Sequence, residues 1–161
     1  MRIINICGYL LVLIFICSCS NVNKDNFDEV PQMPRSNKAA KINVQLGLGY
    51  LKQGNVQRAK RKLFIASEQS PNSADVAGAL GYFFEKTANK EQALKYYERA
   101  MQLAPSKGPQ LNNFGAFLCR QAKYKLANQY FEKASQDIHY INSAGALENA
   151  GLCTLAIPNQ A

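Results

Sequence analysis

The side chains best suited to chemistry in this 161-residue chain are its five cysteines, Cys7, Cys17, Cys19, Cys119 and Cys153. A thiol can be acylated, can oxidise to a disulfide or can bind a metal. Other reactive groups are sparse, because His139 is the sole histidine and no Ser-His-Asp set, metal-ligand spacing or phosphate-binding glycine loop is present. We therefore predict a non-enzymatic protein with no cofactor, no metal and no small-molecule substrate, and we interpret His139 as a loop residue.

Three of the cysteines fall in an N-terminal segment that has the features of an export signal. One positive charge precedes an apolar run over residues 3–16, which is shorter than the about 20 residues of a membrane-spanning helix. A small residue, Ser18, stands directly before Cys19, and this arrangement resembles the bacterial lipobox. Cys17 fits less well because a bulky isoleucine precedes it. We predict that residues 1–18 are removed and that Cys19 is lipidated; an ordinary cleaved signal beside an unmodified cysteine is the alternative.

The residue after the predicted lipidation site bears on localisation. Aspartate at that position resembles an inner-membrane retention signal, and this chain has Ser20 instead. We therefore predict an outer-membrane lipoprotein whose acyl chains, palmitate among them, hold it to the bilayer. Residues 19–37 are rich in Asn, Asp, Ser and Pro and lack a helical period, so we predict a flexible tether. The folded domain, predicted at 38–161, would then lie in the periplasm.

The formal net charge of +8 comes from scattered lysines and arginines. Because these residues form no stripe, and because the protein is predicted to be exported, we do not expect nucleic acid as a partner. We interpret the charge mainly as a solvated basic surface. Attraction to anionic headgroups or to an acidic partner stays open.

From about residue 40 the sequence repeats every 34 residues. Small residues recur at the same place in each unit, namely at Gly47, Gly81 and Gly115 and at Ala59, Ala93 and Ala127. Pro71 and Pro105 share this spacing and end a helix in two of the units. This is the tetratricopeptide pattern, in which each unit is an antiparallel pair of helices, A then B. We predict an all-α tetratricopeptide-repeat superhelix of about three and a half helix pairs, with units at about 40–73, 74–107, 108–141 and a partial 142–161.

The recurring small residues are predicted to pack where helices A and B of one unit approach closely, because a larger side chain would force the helices apart. Gly151, in the partial fourth unit, is predicted to have the same packing role. That unit has an A helix with no B helix after it in the sequence, so Leu152 and Leu155 are expected to leave apolar surface partly bare.

Cys119 and Cys153 remain once the export segment is set aside. Both fall late in the A helices of adjacent units, and adjacent A helices lie side by side in such an array. In an oxidising periplasm two neighbouring thiols can form a disulfide. Two buried thiols that pack as small hydrophobic groups are the alternative.

Positions on the A helices that face the inner groove of a tetratricopeptide array are candidates for partner binding. They are Val44, Gln45 and Leu48 in the first unit, Gly78 and Tyr82 in the second, and Asn112, Asn113 and Ala116 in the third. An asparagine there can offer both a donor and an acceptor to an extended peptide backbone. The alternative is that the asparagines are exposed residues near a helix start.

Three stretches of the sequence resemble the type IV pilus biogenesis lipoprotein family known as PilF or PilW. They are LGLGYLKQGNVQRAKRKL at 46–63, NNFGAFLCRQAKYKLANQYF at 112–131 and LENAGLC at 147–153. The resemblance implies an outer-membrane lipoprotein that acts as a pilotin or assembly factor for the secretin pore. It also implies a disulfide between units three and four, which here are Cys119 and Cys153. The family has about six repeats, whereas this sequence has about three and a half.

The function predicted from these features is a scaffold that binds a secretin subunit or another type IV pilus assembly protein. A generic repeat lipoprotein that serves cell-wall enzymes or outer-membrane protein assembly is the first alternative. A co-chaperone type of carboxylate clamp, suggested by Asn113, lacks a complete set of groove cations. For an enzyme, Glu85 and Glu148 are the remaining candidate acids, and we interpret both as solvated carboxylates on helix faces.

Overall fold

The computed structural model describes residues 35–158, with Arg35 described by its backbone alone. The predicted signal peptide, Cys19 and tether residues 19–34 lie outside the described residues. The described part contains seven helices and no strands: α1 (Arg35–Lys52), α2 (Val56–Gln69), α3 (Ala74–Lys86), α4 (Lys90–Leu103), α5 (Gly108–Arg120), α6 (Tyr124–Ser135) and α7 (Ser143–Leu155). None of these helices combines the length and apolar character needed to cross a membrane.

The helices pack as successive pairs. α1 packs on α2, α3 on α4 and α5 on α6, and α7 packs on α6 and α5. The A helices α1, α3, α5 and α7 also contact one another in sequence order, whereas no close backbone contact joins α2 to α4 or α4 to α6 within residues 35–158. The A helices therefore form the inner, crowded side of the array. The predicted all-α fold, with three helix pairs and a further A helix, is confirmed.

The turn between helices A and B contains a residue in the left-handed backbone region at the same place in each pair. These residues are Gly54, with φ of 75°, Ala88, with 61°, and Ala122, with 59°. Glycine adopts this region without a steric penalty, whereas an alanine is strained by its Cβ. Each turn then leads into the next helix, and Asn55 and Asn89 cap α2 and α4 by accepting a hydrogen bond from the backbone N–H three residues later.

The three repeat glycines of the complete units lie against large side chains of helix B. A Cβ atom added to Gly47 would lie 2.6 Å from Leu63 Cγ, and one added to Gly81 would lie 2.9 Å from the ring of Tyr97. The alanines of the same pattern, Ala59, Ala93 and Ala127, are completely buried. The spacing in the sequence therefore reflects close contact between helices A and B.

The packing predicted for Gly151 is not formed within residues 35–158. A Cβ atom added there would meet no atom within 4 Å, because no helix follows α7 in the described residues to pack on it. The neighbouring leucines are correspondingly bare, with Leu152 60% and Leu155 82% exposed. The pattern repeats the glycine, but its packing partner is absent from residues 35–158.

The folded part begins earlier than the predicted 38. Residues 35–37, assigned to the tether, form the first turn of α1. Polar contacts hold the first and third turns of α1 to the end of α2: Ser70 Oγ donates to Asn37 Oδ1 at 2.7 Å, and Asn43 Nδ2 donates to Gln69 Oε1 at 3.0 Å. The helix start therefore depends on contacts with a segment more than 25 residues away, which a local pattern does not report.

The loop between α6 and α7 is tied to the start of α5 through Asp137. One carboxylate oxygen accepts the N–H of Gly108 at 2.7 Å, and the other accepts the N–H of His139 at 3.0 Å. These two hydrogen bonds lower the pKa of Asp137, the bond from Gly108 contributing most. His139 itself is exposed in this loop, where its position in the sequence predicted it.

Candidate peptide-binding groove

The A helices line a groove of about 1090 Å³ that extends across α1, α3 and α5. Seven of the eight predicted groove residues lie on its wall: Val44, Leu48, Gly78, Tyr82, Asn112, Asn113 and Ala116. Gln45 is exposed but does not line the groove, because it is one residue, or about 100°, further around the helix than Val44. The structure thus brings residues from three sequence units together on one surface.

One end of the groove is apolar. Val44 and Leu48 form its floor together with two residues that the sequence did not suggest, Leu51 and Val56. Leu51 lies one helical turn beyond Leu48, so a continuation of the same face of α1 would have identified it. Val56 comes from the start of α2 and could be placed only by the fold. This end can bury an aliphatic or aromatic side chain of a partner.

Tyr82 separates the apolar end from the polar one. Its side chain is 38% exposed, and the ammonium group of Lys86 lies 5.4 Å from the ring centroid. Gly78, one turn earlier on α3, is buried but has space beside it, since a Cβ there would approach only Ala100, at 4.0 Å. Both residues lie on the groove wall, and the Tyr82 ring is open to a partner.

The other end of the groove is built from amides. Asn112 is buried, and its Oδ1 accepts a hydrogen bond from Asn149 Nδ2 of α7 at 3.0 Å. Gln110 is also buried, and its Nε2 donates to Asp75 Oδ1 of α3 at 2.7 Å. These side chains connect successive A helices, so Asn112 has a structural role as well as a place on the wall. Asn113, in contrast, is exposed on the groove wall.

The interpretation of Glu85 as a solvated carboxylate is wrong. Arg120 of α5 binds it with two hydrogen bonds, Nε to Oε1 at 2.5 Å and Nη2 to Oε2 at 2.9 Å. The hydroxyl of Tyr97 also donates to Oε2 at 3.0 Å. The Glu85 side chain is only 11% exposed as a result. Sequence reasoning missed this cluster because its members come from three different helices.

The cluster shifts the proton affinities of its members. Burial raises the pKa of the Tyr97 hydroxyl well above its usual value, and the neighbouring Glu85 carboxylate raises it further because a second negative charge would be repelled. The hydrogen bond to Glu85 raises the pKa of the Arg120 guanidinium. The phenol therefore stays neutral across the physiological pH range, and the contacts of Glu85 with Tyr97 and Arg120 fasten α3, α4 and α5 together.

A disulfide joins Cys119 of α5 to Cys153 of α7, with a Cα–Cα distance of 5.8 Å. Nearby, Asn128 Nδ2 of α6 donates to Thr154 Oγ1 of α7 at 3.0 Å. Both contacts hold α7 against the third helix pair, behind the amide end of the groove. Within residues 35–158 no group of three or more His, Cys, Asp or Glu side chains is arranged to bind a metal ion.

The described residues define a tetratricopeptide-repeat scaffold, whose stacked A helices present a groove with an apolar end and an amide end. Among solved structures, the chain is similar to that of PilF from Pseudomonas aeruginosa, with 38% identity, a TM-score of 0.69 and coverage of 74% of this chain and 54% of that one. The resemblance to the PilF and PilW family predicted from the sequence is confirmed.

A second similar structure is that of PilW, which is described as a widely conserved type IV pilus biogenesis factor. It shares the fold with this chain, with a TM-score of 0.68, 24% identity and coverage of 73% of this chain and 54% of that one. The chain thus spans about half the length of each of these two proteins. No protein-family model matches the chain, and no curated protein sequence matches it.

Proposed function

We propose that the chain is an outer-membrane lipoprotein that acts in type IV pilus biogenesis, where it binds a secretin subunit and assists the assembly or localisation of the secretin pore. The similarity to PilF and PilW supports a role in pilus assembly. The observation that carries the binding role is the groove, which crosses three helix pairs and combines an apolar floor with exposed Asn113 and Tyr82.

The packing of the A helices favours recognition by a pre-formed surface. The glycine contacts with helix B, the Glu85 cluster and the disulfide each fasten neighbouring helices. A groove held in this way loses little conformational entropy when a peptide or small domain binds, so more of the contact energy appears as affinity. We therefore assign the partner to the groove and the repeat glycines to folding.

The assembly role can be tested in cells by deleting the gene and restoring it as wild type or as a groove variant. Leu48→Asp places a charge in the apolar floor, and Leu155→Asp is the matched control, since Leu155 is 82% exposed on α7 and lies outside the groove. We expect the deletion and Leu48→Asp to reduce assembled secretin in the outer membrane, while Leu155→Asp restores it. Unchanged secretin in the deletion strain, with altered cell-wall or outer-membrane protein assembly, would instead support the generic adaptor.

The contribution of the exposed amide can be measured separately. Asn113→Ala should weaken binding to the secretin subunit by about 1–3 kcal/mol if a buried hydrogen bond to the partner is lost, with little change in melting temperature. Asn112→Ala should destabilise the fold as well, because Asn112 holds Asn149. Equal destabilisation by the two substitutions would make Asn113 a structural residue and remove its role in binding.

The lipid anchor can be tested by metabolic labelling with a radioactive fatty acid. We expect the label to appear on the wild-type chain and to be absent from Cys19→Ala, which should also fail to localise to the outer membrane. Label that persists on Cys19→Ala would contradict the assignment of Cys19.

A further inference from the structure

Three cations occupy equivalent positions along one edge of the groove. Lys52, Lys86 and Arg120 are each 34 residues apart and are the last residues of α1, α3 and α5. All three line the groove. We call this set the basic edge, and its regular spacing shows that every complete A helix contributes one positive charge to the same side of the groove.

The three cations differ in their partners. Arg120 is neutralised by Glu85, through the bidentate contact described above. This is the only ion pair within residues 35–158, so Lys52 and Lys86 have no carboxylate within salt-bridge distance there. One acid, Asp75, also lines the groove and accepts a hydrogen bond from Gln110, and the two lysines outnumber it. Within the described residues the basic edge therefore has two lysines without a carboxylate partner, and both line a concave surface, where a low-dielectric wall strengthens their attraction for anions.

A lysine at the end of a helix also stabilises the helix dipole, and this role would account for the sequence position of the three cations. It does not account for the placement of Lys86 over the ring of Tyr82 on the groove wall. We propose that the groove binds an extended acidic segment of a partner protein. Its carboxylates contact Lys52 and Lys86, and an aliphatic side chain enters the apolar end beside Leu48.

The repeat geometry sets the spacing of the acidic residues in the segment. Packed helices lie about 8–10 Å apart, so the helix ends that carry successive cations are spaced by about that distance. A polyproline II chain rises about 3.1 Å per residue with three residues per turn, so side chains three residues apart point the same way at a matching interval. The expected segment thus has acidic residues at every third position. The inference rests on the proposed function and specifies the chemistry of the partner.

The test uses the full chain and two synthetic twelve-residue peptides. The acidic peptide has an aliphatic residue followed by two acidic residues three positions apart, and the comparison peptide has two asparagines at the same positions. We expect the acidic peptide to bind at least tenfold more tightly at low salt, and the preference to decrease as salt is added. The double variant K52E/K86E should lose the preference. The matched control K90E/K125E changes the net charge equally at exposed sites outside the groove and should retain it.

Equal binding of both peptides to the wild type, or an unchanged preference in K52E/K86E, would overturn the inference. Secretin assembly in cells separates this result from a failure of the proposed function. If Leu48→Asp still abolishes assembly while K52E/K86E leaves it intact, the scaffold role stands and the acidic segment is wrong. If K52E/K86E loses both the peptide preference and secretin assembly, and K90E/K125E loses neither, the acidic segment is supported.

Discussion

Replacing Gly115 by alanine adds one methyl group to the face of α5 that α6 covers. The new Cβ would lie 2.9 Å from a ring atom of Phe131 and 3.2 Å from the carbonyl oxygen of Ala127. The ring can shift, but the carbonyl oxygen belongs to the backbone of α6 and can move only with the helix. The same substitution at Gly151 meets no atom within 4 Å. Both sites therefore undergo the same glycine-to-alanine substitution within a helix, but only Gly115 lies in close contact with a neighbouring helix.

The difference in their free energies of unfolding can be estimated. Alanine is favoured over glycine in a helix interior by about 1 kcal/mol, and this gain is common to both sites. Overpacking in a close contact costs about 1–3 kcal/mol, and this cost applies to Gly115 alone. We therefore expect Gly151→Ala to stabilise the domain by up to about 1 kcal/mol and Gly115→Ala to be about 1–3 kcal/mol less stable than Gly151→Ala.

Urea denaturation of both oxidised variants, followed by far-ultraviolet circular dichroism, measures this difference directly. For a domain of this size about 1 kcal/mol corresponds to a shift in Tm of about 4 °C, so a thermal scan gives an independent check. Equal stabilisation by the two substitutions would show that Phe131 does not fill the space beside Gly115. The explanation of the 34-residue glycine pattern by close contact between helices would then be wrong.

Three further predictions concern the turns, the disulfide and the Glu85 cluster. Ala122→Gly should raise the unfolding free energy by up to about 1 kcal/mol, because it relieves a strained left-handed backbone, whereas Gly54→Ala should lower it; a loss for both would contradict the strain argument. Cys153→Ser removes a cross-link over about 35 residues, worth roughly 3–4 kcal/mol by loop entropy, so hydrogen exchange should increase first in α7 and leave α1 to α4 protected; uniform exchange across all helices would argue against it. Because the pKa of Tyr97 is raised in the folded state, its contribution to stability is complete below the ordinary tyrosine pKa, near 10.0, and is lost as pH rises above that value. Tyr97→Phe should flatten this alkaline decline, and an identical decline in wild type and variant would refute the assignment.

The sequence predicted the helix pairs well because the repeat positions report contacts that every unit must make. Gly81 has to be small since Tyr97 lies against it, and the same need recurs after 34 residues. The pattern does not report the neighbour itself, since Gly151 repeats the residue type but no opposing helix lies within residues 35–158. A repeat period thus identifies the unit but not what lies next to each copy.

The groove was predictable in outline and less so in detail. Helical periodicity placed Leu48 and Tyr82 on the inner face, and the structure has both there. The same reasoning could not distinguish Asn112 from Asn113, because one hydrogen-bonds to a helix 37 residues away and the other is exposed. Long-range polar partners of this kind depend on the superhelix as a whole.

The basic edge could have been recognised as a repeat feature in the sequence, since its three cations follow the same 34-residue spacing as the glycines. Its place on the groove wall could not be inferred from the period alone, because a residue that ends a helix can point to either side. The orientation depends on how far each A helix rotates against its neighbour, and only the packed array fixes that rotation.

Site-specific photo-crosslinking tests the central claim most directly, namely that the groove of this chain holds a secretin subunit during pilus assembly. A photoreactive phenylalanine derivative would replace Tyr82 on the groove wall or Phe64 outside it, two aromatic residues with equal exposure of 38%. After irradiation of piliated cells, we predict a covalent product with the secretin subunit from position 82 and none from position 64. A secretin product from position 64 alone, or a product from position 82 with a cell-wall enzyme and no secretin, would contradict the account.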